Sequence, residues 1–256
     1  MADILEQGKV VSDIKEGIAT IEFFHPLSNS LPGKLLAEVA QTITKMGADD
    51  TVKVIVLKSS GERAFCAGAS FDELIDINDL ETGKVFFSGF ANVINACRKC
   101  PKLIIGRVQG KAVGGGVGVA SAVDYCVATK FASVKLSELA VGIGPFVVGP
   151  VVERKIGTSA MSQLAIDATE WQTADWAKAK GLYTEVYDTV EEMDEAVRAL
   201  ANKLSNSNPK AMRLLKQMFW KGTENWDDLL KERAAMSGEL VLSDFTKNAI
   251  NKFKNK

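Results

Sequence analysis

Along the first half of the chain, short runs of β-branched residues alternate with stretches whose apolar positions recur at helical spacing. Ile18 to Phe24 reads as a strand, Lys34 to Met46 as an amphipathic helix, and Val52 to Lys58 as a second strand of Val-Ile-Val-Leu character. The alternation predicts a further helix from about Gly83 to Cys97, a strand over Leu103–Val108, a glycine-rich turn with a short apolar helix, and a strand near Tyr125–Thr129. Beyond Ser159 the β-branched runs nearly vanish. Helices are predicted at Ser159–Ala168, Thr173–Lys180, Val190–Leu204, Pro209–Lys221 and Trp226–Leu242, several opened by capping signals such as Thr173 or Asn208-Pro209. The reading is an α/β fold with a core over residues 1–204 and a helical C-terminal region over residues 205–256, joined at Ser205-Asn-Ser-Asn-Pro209. No internal repeat is visible.

Bulk properties narrow the function. A chain of 256 residues that is 46% hydrophobic and 25% charged can bury a full core. A formal net charge of -1 with scattered basic residues gives no field that would gather nucleic acid. No apolar stretch is long enough to span a membrane, and the N-terminus lacks the pattern of a signal peptide, so a cytoplasmic address is expected. Cys97 and Cys100 form a C-x-x-C, but Cys66 and Cys126 stand apart, so no metal site is expected. The single histidine, His25, is followed by Pro26 at a strand end. Acid–base work therefore falls mainly to carboxylates.

Two glycine-rich turns carry the candidate chemistry. Gly114-Gly-Gly-Val-Gly118 leaves backbone N–H groups uncovered where an apolar helix begins, a place suited to negative charge. Ala67-Gly-Ala69, after the strand at 52–58, is too small to shield its own amides. Two such amides converging on one point would form an oxyanion hole. Glu138 lies between a predicted strand and the turn Gly142 to Pro145, flanked by Leu136, Leu139 and Val141. Partial desolvation there would raise its pKa toward the range of a general acid or base. The glycine run satisfies neither the dinucleotide fingerprint nor the P-loop pattern. Met212, Met218, Phe219 and Trp226 suit either helix packing or an oligomer interface.

Taken together, Ala64-Phe-Cys-Ala-Gly-Ala69, Ala112-Val-Gly-Gly-Gly116 with Asp124, Ser137-Glu138 with Gly142 and Pro145, Thr173 to Val186, and the Asp244-Phe245 to Phe253 ending resemble the crotonase, or enoyl-CoA hydratase/isomerase, superfamily over nearly the whole chain. The resemblance implies a spiral of ββα units, a helical region that builds a homotrimer or a dimer of trimers, and an acyl-CoA thioester as substrate, with no cofactor beyond the CoA that the substrate carries. It implies that the Ala69 and Gly115 N–H groups hold the thioester oxygen while Glu138 moves the proton. It also implies a CoA path along Pro26, Leu27, Cys66, Ala67, Gly68 and Phe253, with Lys252 and Lys254 as candidates for its phosphates. Family hydratases usually carry a second glutamate, and here that position is Gly118. Gly118 either makes room for a bulky acyl chain or serves close helix packing. Ser70, Ser137, Asp72 or Glu73 could position a water, and Gly118, Ser70, Ser137 and Pro145 are the expected pocket wall. Hydration of an enoyl-CoA is the first expectation and double-bond isomerisation by Glu138 alone the second. A non-catalytic acyl-CoA-binding trimer is the alternative of another class.

Overall fold

The computed structural model describes residues 8–254, without the side chains of residues 251, 253 and 254. Its first turn is set by two residues in left-handed conformation, Glu16 (φ 53°) and Gly17 (φ 79°). That geometry matches the twist of paired strands, so Lys9–Lys15 (β1) folds back antiparallel on Ile18–Phe24 (β2). The periodicity reading missed β1, a largely exposed edge strand with Lys, Ser and Asp in it.

From β2 onward the strands pair in parallel. Val54–Ser59 (β3), Leu103–Val108 (β5), Tyr125–Thr129 (β7) and Glu185–Tyr187 (β9) complete a six-stranded sheet ordered β1-β2-β3-β5-β7-β9. A second, three-stranded parallel sheet holds Ala64–Cys66 (β4), Lys111–Val113 (β6) and Val134–Lys135 (β8) in that order. The chain alternates between the sheets: β3 feeds β4, β5 feeds β6, β7 feeds β8, and helical structure follows each pair. This is the ββα spiral that the resemblance implies. The repeat is invisible in the sequence because its second strands are only two or three residues long, too short for a period of two to register.

Ten helices are present among the described residues: Gly33–Ala48 (α1), Phe71–Ile75 (α2), Leu80–Lys99 (α3), Gly115–Ala122 (α4), Gly149–Ile166 (α5), Ala174–Ala179 (α6), Val190–Ser205 (α7), Pro209–Phe219 (α8), Trp226–Leu240 (α9) and Asp244–Lys254 (α10). Three expectations need correction. The third helix starts at Leu80, three residues before Gly83, because Asp79 caps it by accepting a hydrogen bond from Thr82 N at 2.8 Å. The fifth starts at Gly149 and not at Ser159, interrupted where Gly157 leaves helical geometry (φ 76°, ψ 161°). The region beyond Ser159 also contains a strand, β9, whose parallel partner is β7.

Why β3 is an unbroken apolar run follows from its two neighbours. Val54 and Val56 face Met193, Val197 and Ala201 of α7, while Ile55 and Leu57 point into the main core with Ile21, Leu36 and Ile94. A strand buried on both faces has no polar side to alternate with. Helix α9 joins the same main core through Trp226, Leu230 and Ala234.

At the start of β7, Asp124 ties three segments together. Its Oδ2 accepts hydrogen bonds from Ile104 N and Lys216 Nζ, each at 2.8 Å, and its Oδ1 accepts one from Trp220 Nε1 at 3.0 Å. Lys216 Nζ also donates to the Lys102 carbonyl at 2.8 Å. The two side chains are 3% and 4% exposed, so neither charge has water to fall back on. Lys216→Met removes the cation and leaves a buried carboxylate, at an expected cost of about 3–5 kcal/mol. Urea unfolding should show a lower midpoint at unchanged slope. A loss below about 1 kcal/mol would mean that desolvation already cancels the pair.

Candidate active site

The three-stranded sheet decides where the functional turns meet. Its strands are parallel, Cys66 beside Ala112 after a one-residue register shift in β4 and Val113 beside Lys135, so the segments leaving β4, β6 and β8 emerge at one edge. Those segments are Ala67-Gly-Ala69, Gly114-Gly115 and Ser137-Glu138. The crevice beyond the carboxyl ends of parallel strands is where α/β proteins place ligands.

At this edge two amides are left open. Leu31 bridges Ala69 in parallel fashion: its N–H donates to the Gly68 carbonyl at 2.8 Å, and its carbonyl accepts from Ser70 N at 3.1 Å. This pattern leaves the Ala69 N–H without an acceptor among the described residues. Gly115 N, the first amide of α4, is equally unpaired. The two turns are in contact, since a methyl built on Gly68 would lie 3.3 Å from the Val113 carbonyl oxygen and 3.9 Å from Gly115 N.

Each glycine of the triplet answers to a different neighbour. Gly114 has a φ of 52°, and a side chain there would meet Glu138 Oε1 at 2.9 Å. A methyl on Gly115 would run into the ring of Phe90, and one on Gly116 into the Cys66 carbonyl. The run lets an aromatic floor, a strand end and a carboxylate close on one short stretch of main chain.

Glu138 opens a 3-10 turn, Glu138–Val141, that ends at Gly142 in left-handed conformation (φ 83°). Its Oε2 is inaccessible to solvent and has no hydrogen-bond partner among the described residues. Burial raises its pKa to about 7, because no buried counter-charge supports the anion. The source of burial differs in part from expectation: Leu139 is half exposed, and the desolvation comes from the Gly114 turn and the cavity.

That cavity measures about 470 Å³ and is largely apolar, with Phe86, Phe87 and Phe90 of α3 and Phe146, Val147 and Val148 before α5 in its wall. Ala67, Gly68, Ala69, Gly115, Ser137, Glu138 and Pro145 line it as the sequence predicts. Glu138 is the one carboxylate in that lining.

Other expected residues stand elsewhere. Gly118 is fully buried in α4 and does not reach the cavity. A methyl there would lie 2.5 Å from Val148 Cγ1 and 2.9 Å from Val148 Cβ, so the glycine serves close packing and Val148 forms the wall in front of it. Ser70 caps α2 by accepting a hydrogen bond from Glu73 N at 3.4 Å and is absent from the lining. Glu73 is engaged too, accepting from Gly33 N at 2.8 Å, and Asp72 is exposed. Cys66 is fully buried, its carbonyl behind Gly116 and its thiol pushed by burial to about 12. Pro26 and Leu27 lie outside the cavity, in a turn locked by Asn29, whose Oδ1 accepts from His25 N and whose Nδ2 donates to the Ser60 and Ala64 carbonyls. Leu27 is 60% exposed there. The side chain of Phe253 lies outside the described residues, and Lys252 is exposed. Sequence reasoning missed Phe86, Phe87, Phe90, Lys135, Val148 and Trp171. Only the helical spacing of the phenylalanines hinted at a shared face.

Residues 13–256 match the model of the family described as Enoyl-CoA hydratase/isomerase. The chain is 28% identical over 255 residues to the short-chain-enoyl-CoA hydratase of Clostridium acetobutylicum, covering 98% of this chain and 97% of that protein. It is 32% identical over 200 residues to the mitochondrial methylglutaconyl-CoA hydratase of Mus musculus, covering 77% of this chain and 63% of that protein. Among solved structures, an enoyl-CoA hydratase from Bacillus halodurans superposes with a TM-score of 0.86 at 21% identity, over 95% of this chain and 99% of that one. That level of identity speaks to the fold alone.

Two measurements check this geometry. Gly118→Ala should destabilise by about 1–3 kcal/mol through overpacking, and Val148→Ala in the same chain should recover part of it. A double-mutant cycle with coupling below about 0.5 kcal/mol would separate the two residues. For Glu138 the folded pKa exceeds the ordinary 4.5, so the folded state binds the extra proton between those values and stability falls as pH rises from about 4.5 through about 7. Glu138→Gln should remove that loss, gaining on the wild type at pH 8 relative to pH 5 in chemical unfolding. A gap independent of pH would mean the carboxyl is not desolvated.

Proposed function

The chain belongs to the enoyl-CoA hydratase/isomerase family, and from that premise we propose that it is an enoyl-CoA hydratase acting on a short or branched acyl-CoA thioester. The observation that carries this is a single carboxyl of raised pKa, in an apolar cavity, beside two backbone N–H groups without acceptors.

In this reading the thioester oxygen accepts hydrogen bonds from Ala69 N and Gly115 N. As water adds to the β-carbon, electrons move through the conjugated system to that oxygen, and the two donors stabilise the enolate. One such donor is typically worth on the order of 10²–10³ in rate. Glu138 takes the proton of the attacking water and returns it to the α-carbon, so one H and one OH are added and the carboxylate is restored. A pKa of about 7 suits both halves of that transfer. Ser137, beside Glu138 in the wall, can hold the water. The CoA portion would follow Ala67-Gly68 at the cavity wall and the His25–Asn29 turn outside it. Exposed Leu214, Leu215, Met218 and Phe219 of α8 and Phe245 of α10 support a homotrimer or a dimer of trimers. Among the described residues no helix is long and apolar enough to cross a membrane, and the expected address is cytoplasmic.

One observation favours a second reading. Since Glu138 is the one carboxylate of the lining and Val148 covers Gly118, the same two donors could hold the dienolate formed by removal of an α-proton from a 3-enoyl thioester, with the proton returned to the γ-carbon. That is double-bond isomerisation.

Incubation with short 2-enoyl-CoA thioesters should bleach the conjugated absorbance and yield the 3-hydroxyacyl product. Glu138→Gln should lower kcat/KM by about 10²–10⁴. With Glu138 as base, kcat/KM should rise with pH and level off above about 7. Conversion of 3-enoyl to 2-enoyl thioesters without hydration would select isomerisation. Wild type and Glu138→Gln both inert, yet binding CoA thioesters, would leave only a scaffold.

A further inference from the structure

The turn that carries Glu138 is closed at its far end by a residue 104 positions further along the chain. Within the turn, Ile143 N donates to the Glu138 carbonyl at 3.0 Å and Gly142 N to the Leu139 carbonyl at 3.1 Å. The Gly142 carbonyl has one donor among the described residues, the hydroxyl of Thr246 in α10, at 3.2 Å. Thr246 is fully buried. Its neighbour Ser243 caps α10, Oγ accepting from Thr246 N at 3.3 Å and donating to the Leu240 carbonyl at 2.7 Å. With the Ser243 hydrogen on that carbonyl, the Thr246 hydrogen serves Gly142.

The approach of α10 is close. A methyl built on Gly142 would lie 2.5 Å from Phe245 Cδ1 and 2.6 Å from Thr246 Oγ1, so this glycine answers to the start of α10 as well as to its own φ of 83°. Further along α10, Ile250 joins Ile77, Ile143 and Val241 in a small core against which Val141, Phe86 and Phe87 pack. Val141, Ile143, Phe86 and Phe87 are also cavity wall. One end of the helix thus grips the turn of Glu138 and the other backs the wall that turn faces. We propose that Thr246 is a positioning residue for proton transfer: through the Gly142 carbonyl, its hydroxyl fixes the turn that holds the Glu138 carboxyl in the apolar cavity. A turn freed from α10 would admit water to the carboxyl and let it swing away from the thioester, lowering both its pKa and its rate of proton transfer. Replacing Thr246 changes no charge. The described charged side chains of α10, Asp244, Lys247 and Lys252, are exposed, and Lys135 is the one other charged group in the cavity wall.

This inference rests on the reading of Glu138 as proton carrier, so its test has a readout besides turnover. Thr246→Ser keeps the hydroxyl, Thr246→Cys offers a weaker donor, and Thr246→Val offers none at nearly the same shape. Protein carrying 13C-carboxyl glutamate, with Glu138→Gln identifying the resonance, reports the Glu138 titration directly. Its midpoint should move from about 7 toward the ordinary 4.5 in Thr246→Val, stay put in Thr246→Ser and fall between in Thr246→Cys. With a 2-enoyl-CoA thioester, kcat of the valine variant should fall about tenfold or more with KM within about twofold of wild type. Should that variant not fold, the order of the serine and cysteine midpoints decides. Midpoints and kcat equal across the series, with only the unfolding temperature lowered, would make Thr246 a packing residue and overturn the proposal. A raised KM at unchanged kcat would overturn it too. Midpoints that follow donor strength in a protein without turnover would sink the catalytic reading alone.

Discussion

Parallel pairing of three very short strands is the constraint on which the rest depends. Because β4, β6 and β8 run the same way, the segments that leave them meet at one edge, although they are separated by dozens of residues in the chain. Convergence of Ala69, Gly115 and Glu138 thus follows from strand direction. Had any one strand run antiparallel, its turn would have been carried to the far side of the sheet.

The site is assembled from groups that folding alone would avoid: among the described residues, an unpaired amide at Ala69, another at Gly115, and a carboxyl whose Oε2 is closed to solvent and has no donor. Each weakens the folded state. The surroundings offset this with a core buried on both faces of the large sheet and with the Asp124 knot, where every charged or polar atom named has a partner. Polar groups are thus fully satisfied at Asp124 and left unsatisfied at Glu138. Asp124 is surrounded by donors, and Glu138 by phenylalanine, valine and glycine.

Val148 shows how one residue pair changes the options of such a site. Its side chain occupies the space in front of Gly118, so the wall presents methyl groups there. Glu138 is then the one carboxylate of the lining, and the one other titratable group there, Lys135, points toward Trp171.

Much of this was legible in the chain itself. Strands buried on both faces announced themselves as apolar runs, the long helices as amphipathic stripes with caps, and the two glycine-rich turns as uncovered backbone, since these signals are local. Resemblance to the crotonase family added the roles of Ala69, Gly115 and Glu138 from motif order. What the sequence could not supply was whatever depends on a neighbour distant in the chain. The spiral repeat hid in strands of two and three residues, Ser70 proved to be a cap, and Gly118 proved to be a seat for Val148. Nothing in the sequence marked Lys135 and Lys111, whose ammonium groups the fold brings to 4.6 and 4.8 Å from the centre of the Trp171 ring. Local periodicity reports which face of an element is buried; only tertiary packing decides what that face is buried against, and at this site the chemistry lies in that second fact.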